Sequence, residues 1–173
     1  MNYAEVKPVD IANGEGVRVS LFVSGCTRHC KNCFNGIAWD FNYGKPFDEE
    51  AQEEILRLLS PDYIAGLSLL GGEPFEPSNQ RALLPFVKKV RARFPKKNIW
   101  CYTGYTYCDG GIEEEQASCE VTRALISLFD VLVDGRFVEE LKDIRLRFRG
   151  SSNQRVIDVK RSIESGSVVL YLT

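Results

Sequence analysis

Histidine and methionine are almost absent from this chain, one of each among 173 residues, and tryptophan occurs only twice. A site built on several imidazoles is therefore excluded at once. No apolar run approaches the roughly 20 residues of a membrane-crossing helix, and no repeat, low-complexity tract or flexible linker divides the chain. An excess of one charge is missing too, since 22 Lys and Arg against 24 Asp and Glu leave a formal charge of -2. With no global positive field, general binding to nucleic acid or to an anionic membrane is disfavoured. Met1 to Asp10 lacks the basic head and apolar stretch of a signal peptide, so a cytoplasmic protein is expected. The 44% of apolar residues suffices to build one domain over residues 1–173 around a buried core.

Six cysteines remain to be explained. In a reducing compartment they serve as metal ligands, reactive thiols or small core residues. Cys101, Cys108 and Cys119 are scattered and read as small buried hydrophobes. Cys26, Cys30 and Cys33 instead fall within eight residues, close enough for one loop to hold a single metal centre. A four-iron cluster takes one protein ligand per iron, so three thiolates leave one iron open to an exogenous ligand. Two competing readings exist. One is structural zinc with His29 as fourth ligand. The other is plain packing along one helical face, against which Gly25 and the polar run from Thr27 to Asn32 favour a loop.

Around this cluster, β-rich runs alternate with helical periods, the pattern of crossover-connected parallel strands. Strands are expected at Val17 to Ser24, Ile64 to Leu70, Asn98 to Thr103 and Val131 to Val133. A helix capped by Asp48 shows an Ala51, Ile55, Leu58 and Leu59 face, a second spans 79–94 with Pro85 as a kink or start, and a third covers 113–128. From Arg145 onward short alternating runs, Arg145 to Phe148, Arg155 to Val159 and Ser167 to Leu172, suggest a terminal hairpin or strand pair. Residues 136–161 carry eight bases and four acids, either a solvated face or part of a partner-binding surface.

Cys26-x-x-x-Cys30-x-x-Cys33 after a strand resembles the signature of the radical S-adenosylmethionine enzymes. Leu69-Leu70-Gly71-Gly72-Glu73-Pro74 adds a second motif; alone it reads as a turn, whereas beside the cysteines it strengthens the likeness. The resemblance implies a 4Fe-4S cluster on Cys26, Cys30 and Cys33, with S-adenosyl-L-methionine on its open iron. It places the methionine part against Gly71, Gly72 and Glu73, the glycines allowing close backbone approach and the carboxylate receiving an ammonium. Asn32 stands where the superfamily has an aromatic beside the adenine, so adenine packing falls to backbone near Asn32 and Cys33 and to Phe34.

Asn13-Gly14-Glu15-Gly16-Val17-Arg18, Thr103-Gly104-Tyr105, Asp130 to Phe137 and Arg149-Gly150-Ser151-Ser152-Asn153-Gln154 narrow the likeness to the activating proteins of anaerobic ribonucleoside-triphosphate reductase. That resemblance implies a partner, the large reductase subunit, in which a glycine becomes a glycyl radical, and an electron donor such as reduced flavodoxin. It also implies an α/β fold, a partial, open (β/α) barrel, because a full eight-fold barrel takes about 250 residues. Asp134 and Arg136 then touch the cofactor or order the partner loop, or form a surface turn, and Tyr102, Tyr105 and Tyr107 line the pocket or pack. The alternatives are a small radical enzyme of the deazaguanine-forming type acting on a small molecule, and a non-catalytic zinc-stabilised interaction module.

Overall fold

A computed structural model describes residues 1–173. Its frame is one mixed sheet of eight strands. β1 (Asn2–Asp10) pairs antiparallel with β2 (Val17–Val23) and with the two-residue β3 (Lys45–Pro46). α1 (Glu49–Leu59) leads to β4 (Ile64–Gly71), and α2 (Pro77–Arg93) leads to β5 (Asn98–Tyr102). A small hairpin, β6 (Tyr107–Cys108) with β7 (Gly111–Ile112), precedes α3 (Thr122–Ile126) and β8 (Val131–Asp134). β9 (Arg155–Asp158), α4 (Val159–Ser165) and β10 (Leu170–Leu172) end the chain.

In space the order is β10, β9, β8, β5, β4, β2, β1, β3, with β2, β4, β5 and β8 parallel and the outer strands antiparallel. The sheet does not close, because β3 and β10 remain as free edges. Of the expected partial, open (β/α) barrel, the structure shows the coarser part, an open mixed α/β sheet. Physically, closure needs another parallel βα unit, and the chain finishes with antiparallel β9 and β10.

Strand alternation sorts the side chains between the two faces. Val19, Leu21, Leu67, Leu69, Ile99, Cys101, Leu132 and Ile157 join the main core with Ile55, Leu59, Leu83, Phe86 and Val90 of the helices. The opposite face carries Arg18, Ser20, Ser68, Trp100, Val133 and Val156. Arg18 is fully buried there without a carboxylate partner. Its guanidinium donates to Ser68 Oγ (2.7 Å), Asn98 Oδ1 (2.6 Å) and Leu67 O (2.9 Å), and burial lowers its pKa to about 10.

Some local expectations are met and others corrected. Asp48 caps α1 by accepting from Ala51 N (2.9 Å), as read from the sequence. Pro85 does not start α2, which begins at Pro77 and runs through it: it sits on the exposed side, where the carbonyl that its ring deprives of a donor can meet water. The helix expected over 113–128 shrinks to Thr122–Ile126, since Thr106 takes Glu114 through its N–H (2.8 Å) and hydroxyl (3.0 Å) and draws the preceding segment toward the β6–β7 hairpin. Arg145 to Phe148 is a turn, while the terminal strand pair exists as β9 and β10 with α4 between them.

Candidate active site

Because β2, β4, β5 and β8 run the same way, their C-terminal ends bring four loops to one rim, where parallel folds place ligands. Val23 pairs with Gly71, so the loop holding the cysteines begins beside the Gly-Gly-Glu-Pro turn. A short ladder locks the two together. Gly72 N donates to Val23 O (2.7 Å), Glu73 N to Gly25 O (2.8 Å), and Gly25 N to Ala38 O (2.7 Å). The adjoining cavity, of about 510 Å³, is walled by Cys26, Cys30 and Cys33 together with Gly71, Gly72 and Glu73.

The two glycines line the cavity and also have a structural part. A Cβ on Gly72 would lie 2.6 Å from Gly25 O and 2.9 Å from Ala38 O, and one on Gly71 (φ +109°) would lie 2.6 Å from Val23 N. The bare backbone of Gly72 admits the protein's own cysteine loop at close range, and that of Gly71 admits the end of β2.

Glu73 is 2% exposed and already engaged. One carboxylate oxygen accepts from Phe75 N (2.9 Å) and Thr103 Oγ1 (2.7 Å), the other from Gly104 N (2.7 Å). Burial raises its pKa to about 7 against the pull of those donors. The oxygen facing Gly104 has one donor and keeps a lone pair for an incoming cation. Sequence reasoning missed Thr103 and Gly104 as its holders because they are thirty residues away. It missed Glu76 as well, whose Oε1 accepts from Thr27 N and Thr27 Oγ1, both at 2.7 Å, pinning the start of the cysteine loop.

Within the loop, His29 (φ +44°) and Asn32 (φ +58°) adopt left-handed backbone, which lets the chain turn tightly between the cysteines. The His29 ring stacks on Trp39, 4.1 Å between centroids, instead of joining the thiols. No three His, Cys, Asp or Glu side chains converge at single-ion distance. The three thiols face a shared space, as a cluster with one thiolate per iron requires. Burial pushes the Cys26 thiol up to about 11, so loading a metal there must displace a proton. Asn32 and Phe34 also line the cavity, with Phe34 88% exposed at its mouth.

Three polar atoms around this cavity are buried without a partner: Arg28 Nε, Trp39 Nε1 and the Tyr102 hydroxyl. Buried donors are rarely left unpaired. Together with the thiols and a volume ordinary for small-molecule sites, they fit a cluster with a nucleoside-sized companion.

Other candidates fall away from the cavity. Asp134, 1% exposed, binds Arg155 (2.6 Å) and accepts from Tyr107 N (2.7 Å), which makes it a structural strut. Tyr105 and Tyr107 belong to the main core, and only Tyr102 lines the pocket. Cys101 is buried as expected, Cys119 is half-buried, and Cys108 is exposed, contrary to its reading as a core residue. The basic excess over 136–161 is largely spent internally. Arg145 pairs with Asp143, Arg147 with Glu15, Arg155 with Asp134 and Lys160 with Asp130, while Arg136 donates to Arg28 O.

Residues 12–157 match the family model of the 4Fe-4S single cluster domain, and that span includes every wall of the cavity. The anaerobic ribonucleoside-triphosphate reductase-activating protein of Pasteurella multocida (strain Pm70) is 44% identical over 156 residues, covering 89% of this chain and 95% of that protein. The chain belongs to this activating-protein family. The namesake in Escherichia coli (strain K12) is 42% identical over 158 residues, 90% of this chain and 97% of its own length. That in Enterobacteria phage T4 is 38% identical over 156 residues, 90% and 93% respectively. Each of these three proteins thus matches about nine-tenths of this chain.

Proposed function

We propose that this chain, acting as one domain in the cytoplasm, activates an anaerobic ribonucleoside-triphosphate reductase by generating a glycyl radical in its large subunit. The observation that carries the reading is the gathering of Cys26, Cys30 and Cys33 with Gly71, Gly72 and Glu73 around one cavity at the C-terminal rim of four parallel strands. When bound, a 4Fe-4S cluster and S-adenosyl-L-methionine supply one-electron reductive cleavage of the sulfonium, giving methionine and a 5′-deoxyadenosyl radical that takes hydrogen from glycine.

This chain's residues have the following parts. Cys26, Cys30 and Cys33 hold three irons and leave the fourth open. The free lone pair of Glu73 receives the ammonium of the cofactor's methionine moiety, while Thr103 and Gly104 fix its carboxylate. Gly71 and Gly72 face the methionine moiety with bare backbone and also act one step back, Gly71 by seating the end of β2 and Gly72 by seating the cysteine loop. Phe34 and the backbone at Asn32 and Cys33 pack the adenine, and the apolar wall excludes water. A one-electron donor such as reduced flavodoxin supplies the electron.

The sheet is read as a partial barrel. That reading is supported by Tyr171 of β10, which donates to Glu15 Oε2 (2.7 Å) in the loop before β2 and so links an edge strand to the other side of the sheet. An open flank lets a protein segment approach the cavity, as a substrate glycine in a partner requires. Anaerobic reconstitution with iron and sulfide tests the reading. A brown protein that cleaves S-adenosyl-L-methionine on reduction supports it, and a colourless zinc-filled protein contradicts it.

A further inference from the structure

We infer that residues 139–150 form a displaceable strap over the concave face of the sheet, and that the groove beneath takes an extended, glycine-bearing segment of the reductase's large subunit when the strap swings out. The inference rests on the activase reading and specifies how its protein substrate reaches the cavity.

The base of the strap is tightly knotted. Gln154 Oε1 accepts from Gly150 N (2.9 Å) and Ser151 N (3.1 Å), and its Nε2 donates to Gly135 O (2.9 Å). Asn153 Nδ2 donates to Arg136 O (2.8 Å), and Ser151 is fully buried. Arg149 Nη1 donates to Gln154 O (2.6 Å) and Leu141 O accepts from Ser152 N (2.9 Å), which anchors both ends of the strap at this base; toward the tip, the side-chain ties to the rest of the molecule are long. Arg147 reaches Glu15 at 3.4 Å, with both side chains substantially exposed, and Arg149 reaches Thr173 O at 3.3 Å. Such exposed pairs hold little.

The main latch is one ring. Phe148 stands edge-on to Trp100, 5.2 Å between centroids, on a left-handed backbone of φ +60°. An aromatic residue keeps that conformation only where its surroundings impose it. The latch is thus strained at the residue that makes it.

Under the strap lies a separate apolar cluster, Trp100, Val131, Val133 and Val156, against which Phe148 and Tyr102 pack. The Tyr102 hydroxyl is buried there with no acceptor. This apolar cluster, with the buried and hydrogen-bonded Arg18 guanidinium 5.5 Å from the Trp100 ring, carries one uncommitted donor and suits an uncharged peptide segment of small residues, which brings a backbone carbonyl to that hydroxyl. Ile144, Leu146 and Phe148 of the strap are also walls of the cysteine cavity, so moving the strap joins groove to cavity. Ile144 is 92% exposed and, like the exposed Phe34, lines the cavity, presenting an apolar contact for an arriving partner.

Hydrogen-exchange mass spectrometry on the cluster-loaded protein, with and without the large subunit, tests this. The complex should show several-fold faster exchange across 143–149 and slower exchange across 100–102 and 131–133. Phe148→Ala should reproduce the faster strap exchange without the partner and tighten partner binding several-fold. Arg147→Gln, which leaves the ring in place, should shift both in the same direction by less. A strap equally protected with and without bound partner, or partner binding unchanged or weakened in both variants, overturns the inference while the activase reading stands. If the wild-type protein forms no complex and raises no glycyl radical, both fall.

Discussion

Gly72→Ala tests the claim that the second motif builds the site by holding the cysteine loop. The new Cβ would sit 2.6 Å from Gly25 O, 2.9 Å from Ala38 O and 3.0 Å from Gly25 N, where ordinary contacts begin at 3.4 Å. Gly25 must therefore retreat by about 0.8 Å, and overpacking of this kind costs about 1–3 kcal/mol. The same movement stretches the 2.8 Å bond from Glu73 N to Gly25 O, whose loss adds about 1 kcal/mol. A total of about 2–4 kcal/mol lowers the melting temperature of the apoprotein by about 5–15 °C for a chain of this length. Circular dichroism melts measure the first effect. Iron content after anaerobic reconstitution measures the second, which should fall because Gly25 immediately precedes Cys26. Gly36→Ala is the nearby control: its Cβ meets nothing closer than Trp39 at 3.9 Å, so melt and iron should match wild type. A Gly72→Ala protein with wild-type melting and full iron, yet impaired S-adenosyl-L-methionine binding, would refute the reasoning and return the glycine to the ligand surface.

Replacing Cys26, Cys30 or Cys33 by Ala should abolish cluster iron, whereas Cys101→Ala, in the main core, should keep it; a cluster that survives Cys30→Ala would sink the assignment. Phe34→Ala should leave the melt unchanged, because the ring is 88% exposed. It should weaken S-adenosyl-L-methionine binding by the roughly 1–3 kcal/mol of an aromatic–base stack, and unchanged affinity by calorimetry would move the adenine elsewhere. For Glu73, burial lifts the folded pKa from 4.5 to about 7, so the folded state keeps a proton that the unfolded state releases. The stability this confers is complete below pH 4.5 and is lost as pH rises to about 7, on the order of 3 kcal/mol. Urea midpoints of the apoprotein should decline across that window and flatten in Glu73→Gln, while parallel profiles for the two proteins would contradict the shift.

What could be read from the sequence was whatever is local. The spacing of Cys26, Cys30 and Cys33 defines a chelating loop without reference to the fold, and Asp48 announces α1 by its place before two glutamates. β1 was missed because Lys7-Pro8 interrupts its alternation, and the structure accommodates that proline with an irregularity between Lys7 and Asp10 on a largely exposed strand. Arg145-Leu146-Arg147-Phe148 alternates like a strand, yet its partners are Glu15 and Trp100, far away in the chain, and they bend it into a turn. The same limit hid the structural work of Gly72 and Glu73. Their residue types suggested ligand contact, and only the fold brings Gly25, Ala38, Thr103 and Gly104 against them.

The central claim is that this cavity makes a radical on a glycine of another protein. Its most direct test mixes the reconstituted protein anaerobically with the large reductase subunit, S-adenosyl-L-methionine and a strong one-electron reductant, using a partner labelled with deuterated glycine and an unlabelled control. The unlabelled mixture should give a doublet in electron paramagnetic resonance, split by the remaining α-hydrogen. The labelled mixture should lose that splitting and carry deuterium into 5′-deoxyadenosine. Cleavage of the cofactor with neither partner radical nor deuterium transfer, in a partner that another activating protein can switch on, would contradict the account.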